Sequence, residues 1–534
     1  MPLPAALTPL RHPAFRLLWL ANLAANTGMW MQNTGAGWLM TSLAPSPLMV
    51  SLVQVAALLP VFLLAMPAGA LADILDRRMF LLVTQGWMAA AALLLALLTW
   101  SGGLGAWGLL ALTFALGMGT AAASPAWQAT TPELVPRTDL TGAIVLNGIG
   151  FNLSRAVGPA IGGLLVALAG PQATFALNAA AFLIVIAALL AWRRDEPRRS
   201  LPKEHFISAM RAGLGFVRNS PPLRAATIRA CVFFGFLAAI WGLLPLVVRE
   251  GLHLGPEWYG ATLAAMGVGA VSGGFALPAI RARLDRDRLV VAACIGGGAC
   301  LALLGHASHP ALALLAMAGF GLAWIAGAST LQAAAQLACP AWVRARALGI
   351  YQVATFGALA LGTIGGGWAG EVLGLPAALS LFGAACGIGA LAVRRLSLEQ
   401  AGSAAETATP GPPPAPEPAD PVLVPLLTEE RRVLEVVRYA INPADRAAFL
   451  AAMAECRGVR LRSGALAWRL YEDVAHPECW VELWIAENWT EHLREAERLT
   501  DADRAALARA GSLHRGAAPP EAARYLNVMP GMIR

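Results

Sequence analysis

Charge is what this chain has least of. Asp, Glu, Lys and Arg make up 13% of its 534 residues, against roughly 25% in soluble domains, while 57% are hydrophobic and the mean hydropathy is +0.60. So few charges cannot cover several water-soluble domains. The shortage is uneven. From Thr428 onward there are 15 Arg and 16 Asp or Glu, which leaves 24 basic and 16 acidic residues for the first 427. A membrane part is joined to a soluble tail, and the excess of +7 belongs to the membrane part. There it reports topology and excludes a nucleic-acid-binding reading.

Cysteine order is missing too. The seven cysteines are scattered, odd in number and form no C-x-x-C, which excludes a disulfide framework or a zinc knuckle. No cofactor and no metal is expected. No G-x-x-x-x-G-K-[ST] occurs, so no nucleotide site of that kind drives this chain. A cleavable signal is not expected, because Pro2, Pro4, Pro9 and Pro13 interrupt the start and the first apolar stretch runs to full membrane length. The apolar runs are continuous and do not alternate, which excludes a β-barrel.

What is present is length. About 20 apolar residues cross the hydrocarbon layer, and on that measure twelve spans are expected, near 15–40, 48–72, 79–100, 104–128, 139–168, 171–192, 223–248, 257–280, 288–306, 310–336, 346–371 and 374–393. Connections after even-numbered spans carry arginine: Arg77 and Arg78, Arg137, Arg193 to Arg224, Arg283 to Arg288, Arg344 and Arg346. Connections after odd-numbered spans are nearly bare, apart from Arg249 beside Glu250. The positive-inside rule then puts both termini in the cytoplasm.

The basic stretch 193–222 divides residues 1–192 from 223–395, six spans each. A shift of 204 residues aligns Gly117 with Gly321, Gln128 with Gln332, Pro136 with Pro340, Gly158 with Gly362, and Gly162 and Gly163 with Gly366 and Gly367. An even number of spans per half gives two parallel repeats, the plan of transporters whose halves rock about a midplane site.

Two motifs carry a family resemblance. Gly69-Ala-Leu-Ala-Asp73-Ile74-Leu-Asp76-Arg77-Arg78 resembles the signature loop of the major facilitator superfamily, with Ile74 and Asp76 in place of the usual Arg and Gly. Asn152-Leu-Ser154-Arg155-Ala-Val-Gly158-Pro159-Ala-Ile-Gly162-Gly163 resembles that superfamily's exporter signature, with Ser154 where the first glycine is usual. The wording looks most like the bacterial transmembrane secretion effector subfamily, which includes enterobactin-exporter-like permeases. The resemblance implies an exporter in the cytoplasmic membrane, in contact with lipid, driven by proton antiport. It makes Gly69, Asp73, Arg77 and Arg78 a gate latch. Gly158, Pro159, Gly162 and Gly163 become the flexible helix contact.

Polar groups in hydrocarbon are costly unless they face a wet interior. Asn22, Asn26 and Asn33 share one face of span 1 with Trp30, and Asn147, Phe151 and Arg155 share one face of span 5. With Gln352 they are the expected lining of a cargo cavity; hydrogen bonds that only pack the bundle are the competing reading. Arg155, halfway along its span, is the most informative, since a cation there needs a partner or an anionic cargo. No Asp or Glu lies mid-span, which leaves a proton-coupled mechanism only Asp73 or Glu371. Arg229 is expected at the interface. Trp19, Trp38, Trp100, Trp107, Trp192, Trp258 and Trp342 fall near span ends and are expected as interface anchors.

Residues 396–428 hold a proline-rich spacer. The tail, 429–534, is read as βαββαβ, a ferredoxin-like α+β domain, with Thr500 and Asp503 opening a fresh helix. In strand 479–487, Val481, Leu483 and Ile485 alternate with Trp480, Glu482 and Trp484. The aliphatic set is expected against the helices, and the aromatic set under a second copy of the domain. The stretch Trp480 to His492 resembles antibiotic-biosynthesis-monooxygenase-like domains, without an assembled catalytic set. The whole chain is therefore expected to be a twelve-helix transporter that exports a small amphipathic, siderophore-like or drug-like molecule, with a tail able to self-associate. The rival readings are a membrane-tethered enzyme fed by the bundle and a non-transporting sensor or scaffold.

Overall fold

The computed structural model describes residues 5–74, 76–136, 138–192, 214–340, 343–398, 431–516 and 518–527. Along the first 395 residues, the α-helices with both ends among the described residues are α1 (Pro13–Leu43), α2 (Pro47–Ile74), α3 (Arg77–Trp100), α4 (Ala106–Leu134), α5 (Leu140–Ala169), α6 (Pro171–Ala191), α7 (Pro221–Leu237), α8 (Ala239–Leu246), α9 (Pro256–Arg281), α10 (Arg286–Gly305), α11 (Pro310–Leu337), α12 (Arg344–Leu373) and α13 (Leu375–Ala392). Proline opens α1, α6 and α9, where its missing amide has no helical partner to lose. The expected span 7 is interrupted at Ala238 and ends in a π turn, Val247–Gly251, beside Pro245, which cannot donate to the helical ladder.

Among the described residues, eleven stretches are long and apolar enough to cross a membrane, with α7, α8 and the π turn counting as one. The helix α1 is 31 residues long but is not among them. Its Asn22, Asn26, Gln32 and Asn33 dilute the apolar run.

Contacts divide the chain into two compact units. One comprises residues 1–200, 227–331 and 352–395, and the other 201–226, 332–351 and 396–534. In the first unit the two sets of helices repeat each other. A Cβ added at Gly158 or Gly162 would meet α1, at Trp30 and Met31, and one added at Gly362 or Gly366 would meet Gly235 of α7 and Ala239 of α8. A Cβ at Gly163 would lie 2.7 Å from the Pro256 carbonyl and from Gly260 Cα; at Gly367 it would lie 2.9 Å from the Pro47 carbonyl and 2.5 Å from Ser51 Oγ. The turns after α5 and α12 use Gly170 and Gly374, with φ of 78° and 81°, a left-handed conformation that favours glycine. These pairs keep the expected 204-residue shift. The partners on α2 and α9, Pro47 with Pro256 and Ser51 with Gly260, stand 209 apart instead, so the register changes by five residues between the early and late helices of each half.

The halves meet at their arginine-poor ends. Arg249 donates to Thr41 Oγ1 at 2.7 Å and to Ser42, Trp38 stacks on Tyr259 with centroids 6.2 Å apart, and Ser46 donates to Glu371 at 3.0 Å. Toward the opposite ends of α5 and α9, a Cβ added at Gly148 or Gly274 would meet nothing within 4 Å. Trp38 therefore packs between halves, and Trp192 is buried in the core of the first half; neither is the expected interface anchor. Trp100 and Trp107 are exposed, as expected.

The second unit contains a sheet of β1 (Val433–Ala440), β2 (Ala467–Glu472), β3 (Cys479–Ala486) and β4 (Glu521–Leu526), in the order β2-β3-β1-β4 with every neighbouring pair antiparallel. Helices α14 (Arg446–Ser463), α15 (Trp489–Arg498) and α16 (Asp501–Ser512) complete it. The break before α16 is the expected one: Thr500 and Asp503 form a reciprocal capping box. The expected facing of β3 is reversed. Trp480, Glu482 and Trp484 are the buried set, and Trp480 packs on Phe449 of α14, whereas Val481, Leu483 and Ile485 are half-buried. Alternation separates two faces without saying which one the helices cover.

Candidate substrate cavity

The Arg155 side chain projects from the middle of α5 into a cavity of about 210 Å³, whose lining includes Trp30, Pro159, Trp241, Met266 and Ile325. The guanidinium carbon lies 5.8 Å from the ring centroid of Trp30, 5.9 Å from Trp241 and 5.7 Å from Trp324. Each distance is within cation–π range. Among the described residues no carboxylate is in ion-pair reach of Arg155, and no hydrogen bond to its side chain is formed. Pro159, four residues on, has no amide to offer the Arg155 carbonyl. The cage itself is stiff. Trp324 is buried, with Phe233, Phe234, Phe320 and Trp241 all 5.3–5.8 Å away. Trp30 and Arg155 come from the first six-helix half, and Trp241 and Trp324 from the second, so the cation stands where the halves face each other.

Asn26 and Asn33 are one turn on either side of Trp30, and Asn22 is a further turn away. All three are half-buried, and none is hydrogen-bonded among the described residues, as groups facing water would be. Phe151 meets Trp30 edge-on at 6.4 Å and is 48% exposed. Of the expected lining residues, only Trp30 and Arg155 are among those that line this cavity; Asn22, Asn26, Asn33, Asn147, Phe151 and Gln352 are not. Asn147 donates to Thr131 Oγ1 of α4 at 3.1 Å, a packing contact, and Gln352 is exposed on α12 away from the cavity lining. Ser154 also packs, bonding Thr27 of α1 at 2.9 Å. Trp241 and Trp324 were not expected; their only sequence signal is a position inside a span, which they share with Trp30 and Trp87.

At the gate motif, Arg77 pairs with Glu133 of α4, and Arg78 donates to the Leu189 and Leu190 carbonyls that end α6, both at 2.8 Å. Asp76, where the family has glycine, caps α3 by accepting from the Met79 amide at 2.8 Å. The surroundings of Gly69 and Asp73 lie outside the described residues. Arg229, expected at the interface, is 2% exposed, and pairs with Asp287 of α10.

The tail holds a second charged cluster. Glu435, His492 and Glu495 bring metal-ligand atoms within 4.8 Å of one another. Every carboxylate oxygen there already faces a donor. Glu435 meets His492 and, at 3.6 Å, Arg524. Glu495 accepts from Arg460 at 3.1 Å and from Trp484 Nε1 at 2.9 Å. Glu482 accepts from Arg460, Trp468 and Tyr439. Burial alone would lower Arg460, but Glu495 and Glu482 outweigh it and hold the guanidinium above its ordinary value. Burial raises Glu495, with Arg460 opposing and Glu435 reinforcing. The donor set fits an internal ion-pair network better than a cation site.

Eleven membrane-length helical stretches among the described residues, repeated in two halves around a cavity, agree with a transporter of the major facilitator type. The chain belongs to the transmembrane secretion effector family, whose profile matches residues 4–530. It is similar to the uncharacterized MFS-type transporter YfiS of Bacillus subtilis, with 28% identity over 350 residues, 63% of this chain and 82% of that one. It is also similar to the multidrug efflux pump Tap of Mycolicibacterium fortuitum, with 27% identity over 384 residues, 70% and 93% of the two chains. Among solved structures it resembles a bacterial homologue of the human lysosomal transporter Spinster in an inward-facing, unoccupied conformation (TM-score 0.54, 13% identity, 74% of this chain and 96% of that one). The nucleoside transporter NupG is a further neighbour (TM-score 0.58, 12% identity, 72% and 98%). At such identities the structures speak for the fold alone. The protein is a multi-pass membrane transporter.

Proposed function

We propose that the protein exports a small, amphipathic, anionic molecule across the cytoplasmic membrane by alternating access, binding it between Arg155 and the three tryptophans. The observation that carries this reading is the Arg155 cation, held between the two halves with no carboxylate partner among the described residues. A guanidinium presents a planar fork that suits a carboxylate, sulfonate or phosphate, and tryptophan faces suit an aromatic or apolar body. The naming of relatives as multidrug efflux pumps supports export of drug-like cargo. A siderophore remains within the class.

In this reading α1 is the twelfth span, since 31 residues at about 1.5 Å each exceed the bilayer core. Its three asparagines line the water path to the cavity. The arginine-rich ends and both termini face the cytoplasm. The contacts at the arginine-poor ends, with open space around Gly148 and Gly274, then describe an inward-facing state. About 210 Å³ is below the roughly 300–1,000 Å³ of drug-sized sites, so cargo of that size requires the halves to separate further. The tail is accessory. Its strand order supports the ferredoxin-like reading, and the half-open face of Val481, Leu483 and Ile485 is where a second copy would pair. Efflux and metabolite profiling of cells with and without the gene tests the proposal. An anion retained only by cells lacking the gene, and retained again with Arg155→Ala, is the expected result; transport of every anionic cargo unchanged by Arg155→Ala overturns it.

A further inference from the structure

We infer that cargo reaches Arg155 sideways out of the lipid, through a slot between α5 and α9, and that the substrate class is an anionic amphiphile whose chain stays among the lipid tails while its head group is bound. The inference rests on the anion-binding reading of the Arg155 cavity and adds the entry route and the shape of the cargo to it. The two helices touch along one line and then part. A Cβ added at Gly163 would lie 2.7 Å from Gly260 Cα, and one added at Gly267 would lie 2.9 Å from Ala156 Cα. Nearer the arginine-rich ends, a Cβ added at Gly148 or Gly274 would meet nothing within 4 Å. Asn152, Val271 and Gly274, all exposed, belong to this parted stretch and also line the Arg155 cavity. The cavity therefore runs into the gap between the helices.

Helical periodicity decides what lies on the far side of the gap. On α5 the line of Val145, Gly148, Asn152 and Ala156 has Arg155 on one flank and Ile149, Leu153 and Val157 on the other. On α9 the line of Gly267, Val271 and Gly274 has Met266 and Ala270 on the cavity flank and Val268 and Phe275 on the other. The outer flanks are exposed and wholly apolar, Phe275 by 85%. At membrane depth such a rim suits hydrocarbon and not a water-filled mouth. Asn152 donates its amide to the Gly148 carbonyl at 2.9 Å, within its own helix, which lowers the cost of standing beside lipid. The duplicate seam is plugged. The shifts of 204 and 209 residues carry Leu153 to Gly357 and relate Val271 to Phe62, and a Cβ added at Gly357 would lie 3.2 Å from the Phe62 ring. Phenylalanine fills on the α2–α12 seam the place that Val271 leaves open between α5 and α9. The cavity size fits this route. About 210 Å³ is too small to enclose a drug-sized molecule, but through a side slot only the head group and its nearest carbons need enter. The anionic head then meets Arg155, the nearest carbons meet Trp30 and Trp241, and the rest of the chain passes between Ile149 and Phe275 into lipid.

The full chain in lipid nanodiscs tests this with dodecanesulfonate carrying a diazirine at the end of its chain. Photolabelling is expected on the rim, at Val145, Ile149, Val271 and Phe275, and is expected to fall about fivefold or more in Arg155→Gln. Gly148→Phe, which enters open space, is expected to cut rim labelling and, in liposomes, the flux of radiolabelled dodecanesulfonate by about tenfold. The same variant is expected to keep the quenching of tryptophan fluorescence by water-soluble naphthalene-2-sulfonate. Label confined to Trp30, Trp241 and Trp324 overturns the inference, as does label spread over lipid-facing side chains alike with or without Arg155. Dodecanesulfonate flux unchanged by Gly148→Phe also overturns it. In each of those cases, naphthalene-2-sulfonate quenching that Arg155→Gln abolishes leaves the binding site standing, and its absence from the wild-type protein removes the binding reading as well.

Discussion

At the scale of the residue, Arg155 shows how one side chain gains meaning from its neighbours. Its depth was legible in the sequence, because position along an apolar run is a one-dimensional quantity. The tryptophans around it were not, since Trp241 and Trp324 come from helices more than 80 residues away and nothing local marks them as its partners. Replacing Arg155 by Gln is expected to weaken anion binding by about 10- to 100-fold, the loss of a charge-assisted hydrogen bond of about 1.5–3 kcal/mol; titration of tryptophan fluorescence measures it. Gly163 makes a different kind of claim. A methyl group there would press on Gly260 Cα and the Pro256 carbonyl, and backbone cannot step aside as a side chain can. Gly163→Ala is expected to cost about 1–3 kcal/mol in the state with the arginine-poor ends together. Cysteine cross-linking between α5 and α9 should form more slowly in that variant.

Among the elements, the π turn after α8 places Arg249 against the end of α1, where it donates to Thr41 and Ser42 and lies 5.7 Å from the Trp38 ring. Its sequence position, the lone arginine of the sparsely charged side, marked it as an exception to the topology rule; its contact across the halves explains the exception. Arg249→Ala is expected to favour the opposite-facing state, read as faster labelling of a cysteine at Asn26 from the arginine-poor side. Unchanged labelling would remove Arg249 from the gate.

The tail's β3 strand repeats the lesson at the same scale. Glu482 looks like a solvent residue in sequence, yet it is fully buried among Tyr439, Trp468 and Arg460, because long-range ion pairing, which alternation does not encode, makes that burial tolerable. Arg460→Met would leave Glu482 and Glu495 buried without their cation, and a loss of about 3–5 kcal/mol in the tail's unfolding free energy is expected. Glu495 adds a pH dependence of known sign. Its proton is held more tightly in the folded tail than in the unfolded chain. Its contribution is therefore full below the ordinary glutamate value of about 4.3 and is lost as pH rises through the raised one. Denaturant unfolding across that window should show the parent losing stability relative to Glu495→Gln as pH rises; the opposite slope contradicts the direction.

For the whole molecule, span lengths, arginine asymmetry and the 204-residue shift were all readable, because duplication and lipid leave marks along the chain itself. The five-residue change of register between early and late helices was not, since it shows only where glycines of one half meet backbone of the other. The role of the tail separates the transporter from its enzymatic rival. A chain ending after Leu398 is expected to keep anion-dependent flux in liposomes, and substrate turnover by the intact protein without transport would favour the rival.

The two cross-half bearings are chemically unequal. At one, Gly163 rolls on bare Gly260; at the other, Gly367 meets Ser51, whose buried hydroxyl oxygen finds no hydrogen-bond partner among the described residues. That idle oxygen disfavours the assembled arrangement on one side only. A duplicated machine with a smooth pivot and a catching one should open first along the α2–α12 seam, so its stroke begins lopsided even though its halves are kin.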